Sequence, residues 1–358
     1  MTISIIVGTR PEIIKMSPII RECEKLNFDY FILHTGQHYS YNMDRIFFEQ
    51  LGLPKPKFNL DVGSGSHAEQ TGKILIGLEK ILLKNKVDVV LVEGDTNTVL
   101  AGALAAVKLH IKVGHVEAGL RSHDPTMPEE INRVLTDHCS DILFAPTEKS
   151  KQNLLKENIQ EDKIFVTGNT IVDAVHQSQK LTNKRKNILK ELGIKPRKYF
   201  LVTIHRQENS DYKNRFEGIL EGLKQLYRQY NIPVVYPIHP RARKKIQEFN
   251  LYSNGIQLID PLDFLGFLQL EQNARVVLTD SGGVQEETCI LGTPCVTLRD
   301  NTERPETLEV GSNLLAGTSP EKIIKCVSIM WNKDKIWSNP FGDGTSGNKI
   351  INILRKHL

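Results

Sequence analysis

Two groups of residues in this chain could do chemistry together. The first is Thr279-Asp280-Ser281-Gly282-Gly283-Val284-Gln285-Glu286-Glu287, which follows the apolar run Val276-Val277-Leu278. A strand followed by a helix-compatible segment puts the N–H groups of Ser281, Gly282 and Gly283 at a helix N-terminus, where free donors and the helix dipole attract phosphate. Glu287, four residues past Gly283, falls one helical turn further on, where a carboxylate can accept hydrogen bonds from ribose hydroxyls. The second group is the acidic series Asp95, Glu117 and Glu129. The two groups together predict a nucleoside-diphosphate site served by carboxylate acid–base chemistry.

Further ionisable residues follow other apolar runs. Arg10 and Lys15 come after Ile3–Val7, and they suit a phosphate or carboxylate as bidentate and point-charge partners. Asp95 follows Val87–Glu93 and could also serve as N-cap of a helix over 97–109. Glu117 ends Val113–Val116, where desolvation would raise a carboxyl pKa, or it could form an ion pair with Arg121. Pro128 suits a first helical turn, and Glu129 and Arg133 then lie four apart on one face, the spacing of a surface salt bridge. His205 follows Tyr199–Thr203 and could stabilise charge on a diphosphate or donate a proton to it. Arg304, in Thr302-Glu303-Arg304-Pro305-Glu306, could equally hold its own loop together.

The elements that must position these groups are short β-branched runs alternating with amphipathic segments, the pattern of parallel sheets covered by helices. The first half holds strand candidates at 3–7, 30–34, 87–93, 113–116, 142–145 and 164–166; the second holds them at 199–203, 234–238, 257–259, 275–279 and 295–298. The charged stretch 180–198 reads as a boundary made of a helix and linker. At 358 residues the chain exceeds one ordinary core, which implies two domains. Ligands of such sheets bind beyond the carboxyl ends of the strands, where the ionisable residues gather.

Composition narrows the function classes. Forty-six basic against 42 acidic residues leave a net charge of +4, too mild to imply a nucleic-acid partner. Five cysteines without a CxxC pair favour reduced thiols in the cytoplasm. The N-terminus lacks a signal-peptide pattern, and no run reaches the roughly 20 apolar residues of a membrane span. Gly63-Ser64-Gly65-Ser66-His67-Ala68 formally matches a dinucleotide fingerprint, but it follows a short run inside the domain rather than opening the first βαβ unit, so nicotinamide binding is not expected. The 11 histidines form no HExxH and no Cys-His cluster, so no metal site is expected either.

The motifs Gly8-Thr9-Arg10-Pro11-Glu12, Gly94-Asp95-Thr96, His115-Val116-Glu117-Ala118-Gly119-Leu120-Arg121, Pro128-Glu129-Glu130-Ile131-Asn132-Arg133, Asp280-Ser281-Gly282-Gly283 and Arg299-Asp300-Asn301-Thr302-Glu303-Arg304-Pro305 resemble the non-hydrolysing UDP-N-acetylglucosamine 2-epimerases. The match runs in order from about residue 3 to 330. It implies an α/β fold of two Rossmann-like domains in a GT-B arrangement with a cleft between them: residues 1–180 carrying the catalytic carboxylates, 181–340 binding UDP, and 341–358 a final helix packing back on the first domain. It also implies a UDP-sugar substrate, a cytoplasmic homodimer, and no cofactor or metal. By residue, the resemblance makes Asp95, Glu117, Glu129 and His205 catalytic. It makes Arg10, Lys15, Phe267, Ser281, Gly282, Gly283, Glu287 and Arg304 substrate contacts, with the Ser-Gly-Gly amides on the diphosphate, Glu287 on ribose, and Arg133 supporting Glu129. Bacterial members bind a second, activating UDP-N-acetylglucosamine through a Gln-His-Arg segment; this chain departs from it with Gly36-Gln37-His38-Tyr39-Ser40.

The implied reaction inverts C2, a carbon with no adjacent carbonyl. The enzyme must oxidise the sugar or expel the anomeric substituent, and without a dinucleotide site elimination is expected. UDP would leave C1 as a carboxylate takes the C2 proton, and the 2-acetamidoglucal formed would regain UDP with a proton on the opposite face. Two acid–base groups of separated pKa are required. Rival readings are a GT-B glycosyltransferase, a hydrolysing relative, a nucleotide-sugar sensor, and a C2 epimerase of UDP-2,3-diacetamido-2,3-dideoxyglucuronate.

Overall fold

A computed structural model describes residues 1–37, 47–182, 185–333 and 336–357. His38, Tyr39 and Ser40 of the departing segment lie outside them. The chain divides into two compact units, Met1–His176 with Phe341–Leu358, and Gln177–Pro340.

The first unit holds β1 (Thr2–Val7), β2 (Asp29–His34), β3 (Phe58–Asn59), β4 (Val89–Glu93), β5 (Lys112–Val116), β6 (Ile142–Ala145) and β7 (Ile164–Val166). They form one parallel sheet in the order β3-β2-β1-β4-β5-β6-β7. Val-, Ile- and Leu-rich strands suit a sheet buried on both faces, and every residue of β4 is buried. The connecting helices are α1 (Arg10–Lys25), α2 (His67–Leu82), α3 (Asn97–Lys108), α4 (Pro128–Cys139), α5 (Glu148–Lys156) and α6 (Thr170–Thr182). Chain order reverses between β1 and β4, so the turns after these two strands flank the crevice where such sheets hold ligands.

The second unit repeats the plan. β8 (Phe200–Thr203), β9 (Val234–Pro237), β10 (Ile256–Ile259), β11 (Val276–Thr279), β12 (Cys295–Thr297) and β13 (Asn313–Leu315) lie parallel in the order β10-β9-β8-β11-β12-β13. Its helices are α7 (Ile188–Glu191), α8 (Gln207–Ser210), α9 (Lys213–Tyr230), α10 (Pro240–Glu248), α11 (Phe264–Asn273), α12 (Gly282–Leu291), α13 (Pro305–Glu309) and α14 (Pro320–Trp331). The switch point falls between β8 and β11, whose last residues, Thr203 and Thr279, pair in register. His205 and Asp280 therefore leave the sheet side by side.

The last helix, α15 (Ser346–His357), belongs to the first unit and packs on α1. Asp173 accepts hydrogen bonds from the amides of Ser346 (3.2 Å) and Gly347 (3.1 Å), satisfying two donors that a helix start leaves unpaired. Gly347 permits the close approach, since a Cβ there would lie 3.0 Å from the Pro18 backbone.

Two strands go beyond the expectation from sequence: β3, only two residues long, and β13, whose Leu314-Leu315 is flanked by polar Asn313 and small Ala316. Both are edge strands, with pairing on one side only. Among the described residues, no helix is long and apolar enough to cross a membrane.

Candidate active site

In the first unit the turns after β1, β4 and β5 assemble a buried group of carboxyls around one lysine. Lys15, on the inner face of α1, hydrogen-bonds Glu117 Oε2 and lies 3.3 Å from Glu93 Oε1. Asn169 Nδ2 donates to the same Glu117 oxygen at 2.9 Å. Glu117 has a φ of 69°, a left-handed conformation that costs a residue with a Cβ about 1–3 kcal/mol and is kept where the surroundings dictate it. Glu117 is thus fixed at backbone and carboxylate before any ligand arrives.

Two carboxyls in and beside this group, Glu93 and Glu12, carry raised pKa values. Burial pushes Glu12 up to about 7, against the opposing hydrogen bonds from Thr96 Oγ1 (2.7 Å), Gly8 N (2.6 Å) and Thr9 Oγ1 (2.8 Å). Burial likewise lifts Glu93 well above the ordinary carboxylate range; Lys15 opposes this and Glu117 adds to it. Glu93, not singled out from the sequence, closes the apolar run of β4; an acid ending such a strand beside the switch point is a signal that could find it.

Asp95 follows β4 as expected, but it does not cap α3. Thr96 does, its hydroxyl accepting from Thr98 N at 3.2 Å, because the helix starts one residue later than a cap at Asp95 requires. The Asp95 carboxylate instead hydrogen-bonds Arg133 Nη2, and its carbonyl accepts from Asn132 Nδ2 at 2.9 Å. Arg133 does not pair with Glu129 either. Its other nitrogen meets Glu130 at 2.5 Å, and Glu130 also accepts the amides of Ser122 and His123, each at 2.9 Å. The helix turns Glu130 inward and leaves Glu129 exposed, with no hydrogen bond or ion pair among the described residues. Arg121 does not pair with Glu117; it reaches Asp137 (2.7 Å) and Glu157 (2.6 Å). Arg10 places its guanidinium 4.7 Å from the Phe47 ring centroid.

Nothing in its local sequence marks His115 as part of the site, and it is fully buried. Its Nδ1 lies 2.6 Å from Asp137 Oδ1 and its Nε2 lies 2.9 Å from Gly94 O, tying β5 to the turn that carries Asp95. Only the fold shows that Gly94 and Asp137 flank the ring.

In the second unit the fully buried Asp280 organises the switch point. Its carboxylate accepts from the amides of His205 and Arg206 and from Asn209 Nδ2, each at 3.1 Å, and lies 3.0 Å from His205 Nδ1. Burial would raise the Asp280 pKa, but His205 and these hydrogen bonds hold it below the usual value. The His205 side chain stays 52% exposed, so its other nitrogen is open to a ligand.

Ser281 is the N-cap of α12 in extended conformation, and its amide donates to Thr279 Oγ1 at 2.9 Å. The two glycines that follow differ. A Cβ on Gly282 would lie 2.4 Å from Glu303 Oε1, whereas one on Gly283 would meet nothing nearer than Ser281 Oγ at 3.9 Å. Gly282 is required by packing; Gly283 faces open space at the anion-attracting helix end.

Glu303 is itself held by Arg299 (2.7 Å) and Arg206 (3.3 Å), and these cations with Arg304 overcome burial to keep it ionised far below the ordinary range. Arg304, expected at the substrate, is buried with its Nε 2.6 Å from Glu286 Oε1. Phe267 is partly buried against the Leu189–Val284 core, and Glu287 on α12 is buried beside Glu271 of α11.

The family model described as UDP-N-acetylglucosamine 2-epimerase matches residues 21–355. The UDP-N-acetylglucosamine 2-epimerase of Methanocaldococcus jannaschii is 60% identical over 361 residues, covering 99% of each chain. A crystal structure of that archaeal enzyme in complex with UDP-GlcNAc and UDP superposes with a TM-score of 0.94 at 60% identity, covering 99% of this chain and all of the other. A UDP-2,3-diacetamido-2,3-dideoxy-D-glucuronate 2-epimerase from Pseudomonas aeruginosa is 42% identical over 99% of this chain and 100% of its own. With the family model spanning nearly its whole length and an α/β fold of two Rossmann-like units, the chain belongs to the UDP-N-acetylglucosamine 2-epimerase family.

Proposed function

We propose that this protein interconverts UDP-N-acetylglucosamine and UDP-N-acetylmannosamine by eliminating UDP to 2-acetamidoglucal and adding it back. The observation that carries the reading is Glu117: a buried carboxylate in a strained backbone, held by Lys15 and Asn169 at the end of β5. A group so fixed suits proton transfer at one carbon better than nucleotide binding alone. Asp95 and Glu129 complete the acid–base set for the two faces of C2. Arg10 and Lys15 support the sugar end, and Arg133 orients Asp95.

The second unit takes the nucleotide in this reading. Gly282 and Gly283 offer amides to the diphosphate, Ser281 opens that helix end, and His205, set by Asp280, stabilises the departing charge. Glu287 holds ribose and Phe267 contacts the base. Arg304 acts through its ion pair with Glu286 to shape the same edge. The homodimer expected from the resemblance finds support in exposed apolar residues on helices flanking α3: Ile76 and Leu83 at α2, Ile131 and Leu135 on α4. The cysteines, free at all five positions, fit work in the cytoplasm.

The test is incubation with UDP-N-acetylglucosamine in D2O, followed by proton NMR. A new UDP-N-acetylmannosamine anomeric signal with deuterium at C2 is expected. Epimerisation without exchange would remove the elimination step, and turnover only of UDP-2,3-diacetamido-2,3-dideoxyglucuronate would assign the chain to the branch of its 42% identical relative.

A further inference from the structure

Glu271 lies on α11 one helical turn after Phe267 and is completely buried. Neither of its carboxyl oxygens meets an N–H or O–H donor among the described residues. Its polar neighbour is another carboxyl, that of Glu287, which is 8% exposed on the adjoining helix α12. Two carboxylates cannot both be ionised in such contact without strong repulsion, whereas a single proton between them makes a charge-assisted hydrogen bond.

From this arrangement we infer that Glu271 is a positioning residue: its protonated carboxyl donates to the Glu287 carboxylate and fixes it for the ribose diol of the nucleotide. This deepens the proposed function and rests on its assignment of Glu287 to ribose. The proton sits on Glu271, the deeper of the two, because burial first and the Glu287 charge second raise its pKa well above the carboxylate range. The other ionisable groups acting on it are neutral at physiological pH: the Tyr199 phenol, which donates to Leu270 O at 2.5 Å, and the Cys295 thiol, pushed up to about 12. Lys190 and Glu191 of the packed helix α7 are exposed to solvent. Among the described residues, no cation therefore competes for Glu271 from these elements, and its proton is left to face Glu287.

The experiment is calorimetric titration of UDP, 2′-deoxy-UDP and 3′-deoxy-UDP into the full-length protein and its E271M and E271Q variants, with melting temperatures recorded alongside. E271M removes the donor and should weaken UDP binding about tenfold, the scale of one hydrogen bond to a charged group. The same variant should leave unchanged the affinity for the deoxy analogue that lacks the hydroxyl held by Glu287. E271Q restores a donor and should recover most of the UDP affinity. In the unsubstituted protein, UDP affinity should fall as rising pH deprotonates Glu271, because this sets a second charge against Glu287; E271Q should lose this fall. Equal weakening of all three nucleotides by E271M, or none, would overturn the inference. Failure of the unsubstituted protein to bind UDP would instead bring down the nucleotide assignment itself.

Discussion

His205 and Asp280 form a dyad across the second unit's switch point: Nδ1 of the imidazole lies 3.0 Å from Oδ1 of a carboxylate that also accepts the His205 and Arg206 amides. The same group thus sets the ring's tautomer and the backbone that carries it. Asp280→Asn keeps the shape but removes the charge, so kcat should fall about 10- to 100-fold with little change in KM. Asp280→Ala leaves several buried donors unsatisfied and should also cost about 2–4 kcal/mol in denaturant unfolding.

Lys15 and Glu117 separate chemistry from structure. Glu117→Gln retains the contact with Asn169 but cannot take a proton, so turnover should drop at least about a thousandfold while calorimetric UDP affinity stays near normal. Lys15→Met leaves Glu93 and Glu117 buried without their shared cation and should destabilise the protein by about 3–5 kcal/mol.

The neighbouring glycines at the start of α12 offer a contrast one residue apart. Gly282→Ala collides with Glu303 and should lower the melting temperature markedly. Gly283→Ala meets nothing nearer than 3.9 Å, so its stability should match the parent while UDP binding weakens about tenfold as the methyl occupies the anion's approach. Equal UDP affinity in Gly283→Ala would argue against a diphosphate at this helix end.

Glu129 is exposed, and among the described residues it has no hydrogen bond or ion pair to lose. Glu129→Gln should therefore leave unfolding unchanged within about 0.5 kcal/mol while reducing kcat by two or more orders of magnitude, roughly the scale of one acid–base group. Full activity in this variant would strike Glu129 from the catalytic set.

Glu12 makes stability depend on pH. Its folded pKa, raised to about 7, exceeds the unfolded value near 4.3, so the folded state holds a proton that the unfolded chain has lost. The contribution is fully present below about pH 4.3 and is lost as pH rises through 7, on the order of 3 kcal/mol in all. Glu12→Gln should flatten this slope in unfolding curves measured between these limits. Asp280, whose pKa is lowered, acts in the opposite sense: its contribution is present above about pH 3.9 and is lost as acid protonates it.

Much of the scaffold was legible in the chain because fully buried parallel strands write themselves as continuous apolar runs: Val89–Glu93 and Val276–Thr279 stand out on composition alone. β3 and β13 do not, since two or three residues at a sheet edge carry almost no pattern. Strand ends also pointed to Asp95, Glu117 and His205, because ligands gather there in this architecture. Their partners were not legible. Lys15 meets Glu117 across 102 residues, Arg133 meets Asp95 across 38, and His205 receives Asp280 across 75, and local spacing such as Glu129 to Arg133 suggested nearer pairings that the fold does not make.

The closing helix Ser346–His357 has a consequence for synthesis. Its first turn is held by Asp173, Asn348 reaches Glu22 at 3.0 Å, and Lys112 Nζ donates to the His357 carbonyl at 3.0 Å. Synthesis must therefore pass residue 346 before the opening half can cover the outer side of its first helix. Nascent chains halted before residue 346 would carry that apolar side uncovered, a target for chaperones, so this helix acts as a seal on work begun at the N-terminus.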